Sequence, residues 1–107
     1  MPLPEITHLQ FLVLALLFDG EQSGRFLRQK LEEEGEPKSG PAFYQMMARL
    51  EDAGFVRGRY DQKIVEGQII KERRYCITAA GTTACRRAYQ FYHQRSEAFL
   101  EGGLASA

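Results

Sequence analysis

The sequence predicts a mainly helical α+β domain: three helices, a two-stranded β-hairpin, then a long fourth helix. Three observations carry this expectation. Good capping residues precede four segments, at Thr7, Ser23, Ser39 and Thr78. Apolar residues recur at helical spacing as far as Gly54. Two extended runs then follow, residues 55–65 and 68–78, flanking Glu66-Gly67, which suits a tight hairpin turn. A chain of 107 residues with 44% hydrophobic content is one globular domain, burying roughly two-thirds of its unfolded surface.

Thr7-His8-Leu9-Gln10 has the capping-box arrangement and opens a helix to about Phe18. That helix is apolar on nearly every side (Leu9, Phe11, Leu12, Val13, Leu14, Leu16, Leu17), so it must be covered all round. One layer of neighbours in so small a domain falls short of that, which points to a partner subunit. Residues 19–22 break the helix. Ser23 caps a second one over residues 24–34, with Phe26, Leu27 and Leu31 inward. Its end carries Glu32-Glu33-Glu34 at the negative pole of the helix dipole, an end that would repel phosphates.

The third helix follows the turn at residues 35–38. Ser39 caps it and Pro41 sits just inside, where a missing N–H costs nothing. Phe43, Met46, Met47 and Leu50 form its apolar stripe, and Gly54 stands where a left-handed C-cap residue belongs. The opposite face carries Gln45, Ala48, Arg49 and Asp52, flanked by Ala42 and Tyr44. A short, sharply capped helix with a small polar face has the form of a DNA reading head, but on this stretch alone an ordinary amphipathic surface helix is the better reading.

A two-residue turn fixes the hairpin register, so that Val56 faces Ile77, Gly58 faces Tyr75 and Arg59 faces Arg74. Val56, Tyr75 and Ile77 then share the core side. Arg57, Arg59, Asp61, Lys63, Glu72 and Arg74 line the other side as a charged ladder, open to solvent or to phosphates. Its opposed like charges would be offset along the diagonals Arg59–Glu72 and Asp61–Arg74. Thr78 caps the fourth helix, expected to run to about Leu100. Its stripe is Gly81, Ala84, Cys85, Ala88, Tyr92 and Phe99, with Phe91 at the margin, and residues 102–107 are expected to fray.

Formal net charge is zero, which argues against a non-specific polycation, but the charges are segregated. Residues 1–56 carry five basic and nine acidic side chains, and residues 57–95 carry nine basic and three acidic. The second part can therefore present a positive surface. The opening MPLPE lacks the basic region of a secretory signal, and the run 11–18 is too short to span a bilayer. Cys76 and Cys85 suggest neither a disulfide framework nor a metal site, and no cofactor motif is present. The cytoplasm is the expected compartment.

Helix–helix–helix–hairpin–helix is the order of a winged helix-turn-helix. At residue level the chain resembles the PadR family of transcriptional regulators over almost its full length. The resemblance rests on residues 12–17 with Asp19-Gly20 and Ser23-Gly24, on Lys30-Leu31-Glu32-Glu33, and on Ser39-Gly40-Pro41 with Tyr44. It continues through residues 50–56 (LEDAGFV) and 73–81 (RRYCITAAG). It implies a dimeric repressor-type regulator of the small kind with one C-terminal helix. The third helix would enter the major groove, the hairpin wing would touch the backbone or minor groove, and the last helix would join two subunits. Tyr44 matches the family's recognition-helix tyrosine, and Lys71, Arg73 and Arg74 match its basic wing. Family members respond to small aromatic molecules, drugs or other signals, so a small-molecule effector is an implied partner, but no motif here identifies one.

The expected division is residues 1–79 as the DNA-binding unit, 80–101 as a dimerisation helix and 102–107 as tail. The expected DNA contacts are Ser39, Gly40, Ala42, Tyr44, Gln45, Arg49, Lys71, Arg73 and Arg74. The expected dimer seam is Leu9, Leu12, Val13, Ala88, Phe91, Tyr92 and Phe99. Two departures from the family pattern stand out. Ile64, Val65, Ile69 and Ile70 put an aliphatic tip on a wing that is usually polar, so the tip either folds back on protein or is an interaction surface. The recognition helix also has only Arg49 as a base-reading cation, with Gln45 able to pair with adenine. Two functions follow: a sequence-specific regulator binding double-stranded DNA as a homodimer, or a winged-helix protein-interaction module. An enzyme lacks support, because the histidines and cysteines have no nucleophile–base or ligand spacing.

Overall fold

The computed structural model describes residues 3–106, with side chains through Gly102. The order is α1 (His8–Leu16), β1 (Gln22–Ser23), α2 (Gly24–Glu33), α3 (Gly40–Asp52), β2 (Val56–Val65), β3 (Gln68–Ile77) and α4 (Ala79–Ser106). The expected helices and hairpin are all present. The first two helices end slightly earlier than expected, and the sheet has a third strand.

Local chemistry accounts for the boundaries. Thr7 Oγ1 accepts from the Gln10 amide at 3.2 Å while Gln10 Oε1 accepts from the Thr7 amide at 2.9 Å, closing the capping box. Ser23 and Ser39 accept from the third amide onward, at 3.0 and 3.2 Å. The end of α3 is a Schellman turn: the Phe55 amide donates to Leu50 O and the Gly54 amide to Glu51 O, both at 2.9 Å, with Gly54 at φ +79°. Glu66 and Gly67 both have positive φ, the signature of a type I′ turn, and every hairpin pair falls in the expected register.

Strand β1 escaped the sequence reading because it is two residues long. It pairs with β3, Gln22 opposite Tyr75 and Ser23 opposite Arg74, giving the order β1-β3-β2. Ser23 thus serves both as a strand residue and as the cap of α2. The core lies under this sheet, where Val13, Leu14, Leu17, Leu27, Leu31, Phe43, Met47 and Leu50 are all essentially inaccessible.

Thr78 ties the base of the wing to the end of α3. Its hydroxyl donates to Gly54 O at 2.6 Å and accepts from the Gly81 amide at 3.0 Å, so one side chain caps two helices. Gly81 is buried beside Phe55, and a Cβ there would overlap the Phe55 carbonyl oxygen. The segment Tyr75-Cys76-Ile77-Thr78-Ala79-Ala80-Gly81 is therefore a packing motif at one junction.

Helix α4 is 28 residues long, and its assigned end at Ser106 corrects the expected end near Leu100. Ala107 and the side chains beyond Gly102, where fraying was expected, lie outside the described residues. Gly81, Ala84, Cys85, Ala88 and Phe91 are buried against the body, and every described side chain from Tyr92 onward is exposed. This corrects the expected dimer seam. Val13 and Ala88 are 0% exposed and Phe91 8% within one chain, so they belong to its own core. Leu9 and Leu12 are half-buried, while Tyr92 and Phe99 are open. The projecting helix stretches the molecule to 65 × 27 × 23 Å and its radius of gyration to 17.0 Å. A compact chain of this length would have about 13 Å. Among the described residues no helix is long and apolar enough to cross a membrane.

Candidate nucleic-acid interface

Helix α3 turns Phe43, Met47 and Leu50 inward and leaves Ala42, Tyr44, Gln45, Ala48, Arg49 and Asp52 exposed. Ser39 is exposed at its start and Gly40 half-buried. The preceding loop is held by Arg28, whose Nη2 donates to Lys38 O at 3.0 Å. Tyr44 is less free than its position suggests. Its ring meets Phe43 edge-on at 5.1 Å, and its hydroxyl lies against Gly24 at the start of α2. It stands at the border between reading face and body.

Strand alternation gives the wing two faces of different chemistry. Tyr60, Lys71, Arg73 and Tyr75 look towards α3 and, with Tyr44 and Glu51, line a cavity of about 410 Å³. A neighbouring hollow of about 230 Å³ takes residues from both faces of the wing, Lys71 and Arg73 from one and Lys63, Val65, Ile70 and Glu72 from the other, together with Arg25 and Tyr44. Arg73 Nη2 donates to Glu51 Oε1 at 2.6 Å. Burial pushes the Tyr75 phenol up to about 12, only partly countered by Arg73, so it stays protonated at neutral pH.

On the opposite face, Glu21 holds the charged ladder together. Its carboxylate takes a two-pronged bond from Arg59, at 2.6 and 3.0 Å, and a third from Arg74 Nε at 2.8 Å. Those hydrogen bonds hold Glu21 down at about 2. Arg74 also reaches Glu72 at 3.2 Å, and Lys63 lies 3.5 Å from Glu72. The opposed Arg59 and Arg74 are therefore compensated by an acid from the α1–α2 connection rather than by the expected diagonals.

The expected site residues separate accordingly. Ser39, Ala42, Tyr44, Gln45 and Arg49 are exposed along α3 and its cap, with Gly40 half-buried, and of these Tyr44 lines the furrow with Lys71 and Arg73. Arg74 points to the far face and is taken up by Glu21 and Glu72. Sequence reasoning missed Arg25, Glu21 and Glu51. Gly58 was the available signal for Glu51, since an isolated glycine inside a strand marks a close approach. The aliphatic tip is divided: Ile64 is 79% exposed and Ile69 68%, while Val65 and Ile70 line the hollow with Arg25 and Tyr44.

No family model and no curated protein matches the chain. Solved structures do match. A PadR family transcriptional regulator from Eggerthella lenta superposes with TM-score 0.70 at 24% identity, covering 87% of this chain and 79% of that one. A PadR family transcription regulator from Clostridium difficile R20291 gives 0.74 at 15% identity, over 89% and 97%. Bacillus subtilis PadR, solved in complex with operator DNA, gives 0.63 at 24% identity; it covers 76% of this chain, which spans about half of that protein (47%). At these identities the likeness is one of architecture: the chain has the winged helix-turn-helix fold with a long C-terminal helix found in the PadR regulators.

Proposed function

We propose that this chain is a sequence-specific DNA-binding transcriptional regulator, a repressor acting in the cytoplasm as a homodimer on a pseudo-palindromic operator. The observation that carries the reading is that Tyr44 of α3 lines one hollow with the cations Arg25 and Lys71, while Ala42, Gln45 and Arg49 are exposed on the same helix. Helix α3 enters the major groove with its N-terminal half, Gln45 and Arg49 reading base edges and Ser39, Gly40, Ala42 and Tyr44 setting its approach. Lys71 takes a backbone phosphate from the wing. Residues 1–79 form the DNA-binding unit and 80–101 the dimerisation helix. The seam is built from the open end of α4, where Tyr92, Phe99 and Leu100 are 48%, 77% and 61% exposed, together with the half-buried Leu9 and Leu12 of α1. Such a dimer sets its two α3 helices about 34 Å apart, one turn of DNA. The interaction-module alternative rests on the zero net charge, the acidic first half of the chain and the aliphatic tip, and the solved neighbours do not favour it.

The test is binding of the purified protein to the DNA upstream of its own gene, at two salt concentrations. Salt-sensitive, sequence-selective binding is expected. Gln45→Ala or Arg49→Ala should relax selectivity by about 1–3 kcal/mol each if the base contact is bidentate. If neither substitution changes selectivity, the reading head lies elsewhere.

A further inference from the structure

Arg73 has the position of a wing cation but not its freedom. Its guanidinium lies between two rings, 4.7 Å from the centroid of Tyr60 and 5.7 Å from that of Tyr75. Its Nη2 is given to Glu51 on α3 at 2.6 Å, and the two side chains are only 24% and 27% exposed. The pair crosses the backbone of β2 at Gly58. Any Cβ at that position would overlap the Glu51 carboxylate and come within 2.6 Å of Arg73 Nη2. Three elements thus meet at one point: α3 through Glu51, β2 through the bare backbone of Gly58, and β3 through Arg73. Lys71, two residues earlier on the same face, is exposed and makes no ion pair among the described residues.

We infer that Arg73 is a positioning residue: with Glu51 and Gly58 it locks the wing to the recognition helix at a fixed spacing, and it does not itself touch DNA. The inference rests on the DNA-binding reading above and changes the role of one of its residues. A helix in one groove and a wing on the neighbouring backbone must engage together. A wing free to splay has to be ordered at the moment of binding, which weakens the complex even though every protein–DNA hydrogen bond is still made. The lock supplies that order beforehand.

The two roles predict opposite signs for Glu51→Gln. If Arg73 bound a phosphate and Glu51 merely restrained it, removing that acid would free a cation and reduce repulsion, so binding would tighten. If the pair is a lock, binding weakens. With the full-length chain and the DNA upstream of its own gene, E51Q and R73Q should each lower selective affinity by about tenfold, the loss of one good charged hydrogen bond. Both should leave the slope of log affinity against log salt unchanged, and the double variant should be about as weak as either single one. K71Q serves as the contrast and should make that slope shallower by about 0.9 for each phosphate that Lys71 neutralises. Tighter or unchanged binding by E51Q overturns the inference, as does a slope reduced in R73Q as it is in K71Q. E51Q keeps the shape of the side chain, so it decides the matter even if R73Q fails to fold. Absence of salt-dependent, selective binding by the wild type would sink the DNA-binding reading and the lock with it, whereas a binding wild type with a tighter E51Q sinks the lock alone.

Discussion

Replacing Gly81 by alanine should destabilise this protein, although the same change in an ordinary helix would stabilise it. Gly81 lies in the first turn of α4, and alanine there gains about 1 kcal/mol of helix propensity. Against that gain stands the packing at the wing base. A Cβ would overlap the Phe55 carbonyl oxygen, with Ile77 Cγ1 at 2.9 Å and the Phe55 carbonyl carbon at 3.0 Å. Ile77 can rotate away, but Phe55 is held at both ends: its amide donates to Leu50 O at 2.9 Å and its carbonyl accepts from the Thr78 amide at 3.0 Å. Helix α4 must therefore move, and moving it disturbs the Thr78 bridge between Gly54 and Gly81. Overpacking costs about 1–3 kcal/mol and a lost helix cap about 1 kcal/mol more. The net effect is a loss of about 1–3 kcal/mol, which for a domain of this size lowers Tm by roughly 5–20 °C. Thermal unfolding followed by circular dichroism, at one protein concentration for both variants, measures it. A Tm equal to or above that of the wild type would show that the junction is slack and that the packing account of the Thr78–Gly81 motif is wrong.

Two further predictions concern the far face of the wing and the free end of α4. Glu21 is held at about 2, below its ordinary 4.5, by Arg59 and Arg74, so its contribution to stability is complete above about 4.5 and disappears as pH falls towards 2. Glu21→Gln should remove that acid-sensitive part of the Tm–pH curve, and an unchanged acid limb would mean that the Arg59–Glu21–Arg74 bridge does not hold in solution. Phe99 is 77% exposed in a single chain, where a surface change would alter stability by less than about 0.5 kcal/mol. Phe99→Glu should instead dissociate the proposed dimer in sedimentation equilibrium, and a variant that stays dimeric would move the seam off this part of α4.

The hairpin was legible in detail because a type I′ turn leaves no choice of register: once Glu66-Gly67 is the turn, every pair down to Val56–Ile77 follows. The helix boundaries were legible through Thr7, Ser23, Ser39 and Thr78, whose side chains make the bonds their types suggest. Strand β1 was not, since two residues carry no periodicity and its pairing runs through backbone groups. Val13, Ala88 and Phe91 were misread as seam residues for a related reason. Helical spacing shows that a face is apolar, but it cannot tell a chain's own core from a partner's. On α4 the division falls between Phe91, which is buried, and Tyr92, which is exposed, although they are adjacent in sequence. Arg73 and Arg74 are adjacent too, and alternation sends them to opposite faces, one into the lock with Glu51 and one onto Glu21.

That separation bears on how a chain of zero net charge could bind a polyanion. The excess of cations after residue 56 is not the charge that DNA would meet. Arg59 and Arg74 are occupied by Glu21 and Glu72, Lys63 shares Glu72, and Arg73 is occupied by Glu51. Acids from the first half of the chain thus serve as ties for the wing, while the exposed Glu32 of α2 lines a hollow with Arg25. Among the described residues lining the furrow, the cations without an ion pair are Arg25 and Lys71. Two phosphate contacts per subunit, doubled in a dimer, give a slope of log affinity against log salt of roughly −4. A slope more than twice as steep would mean that the wing arginines leave their carboxylates on binding, and the account of the wing as a tied, preset element would have to be given up. A slope near zero would mean that the furrow does not meet phosphates at all.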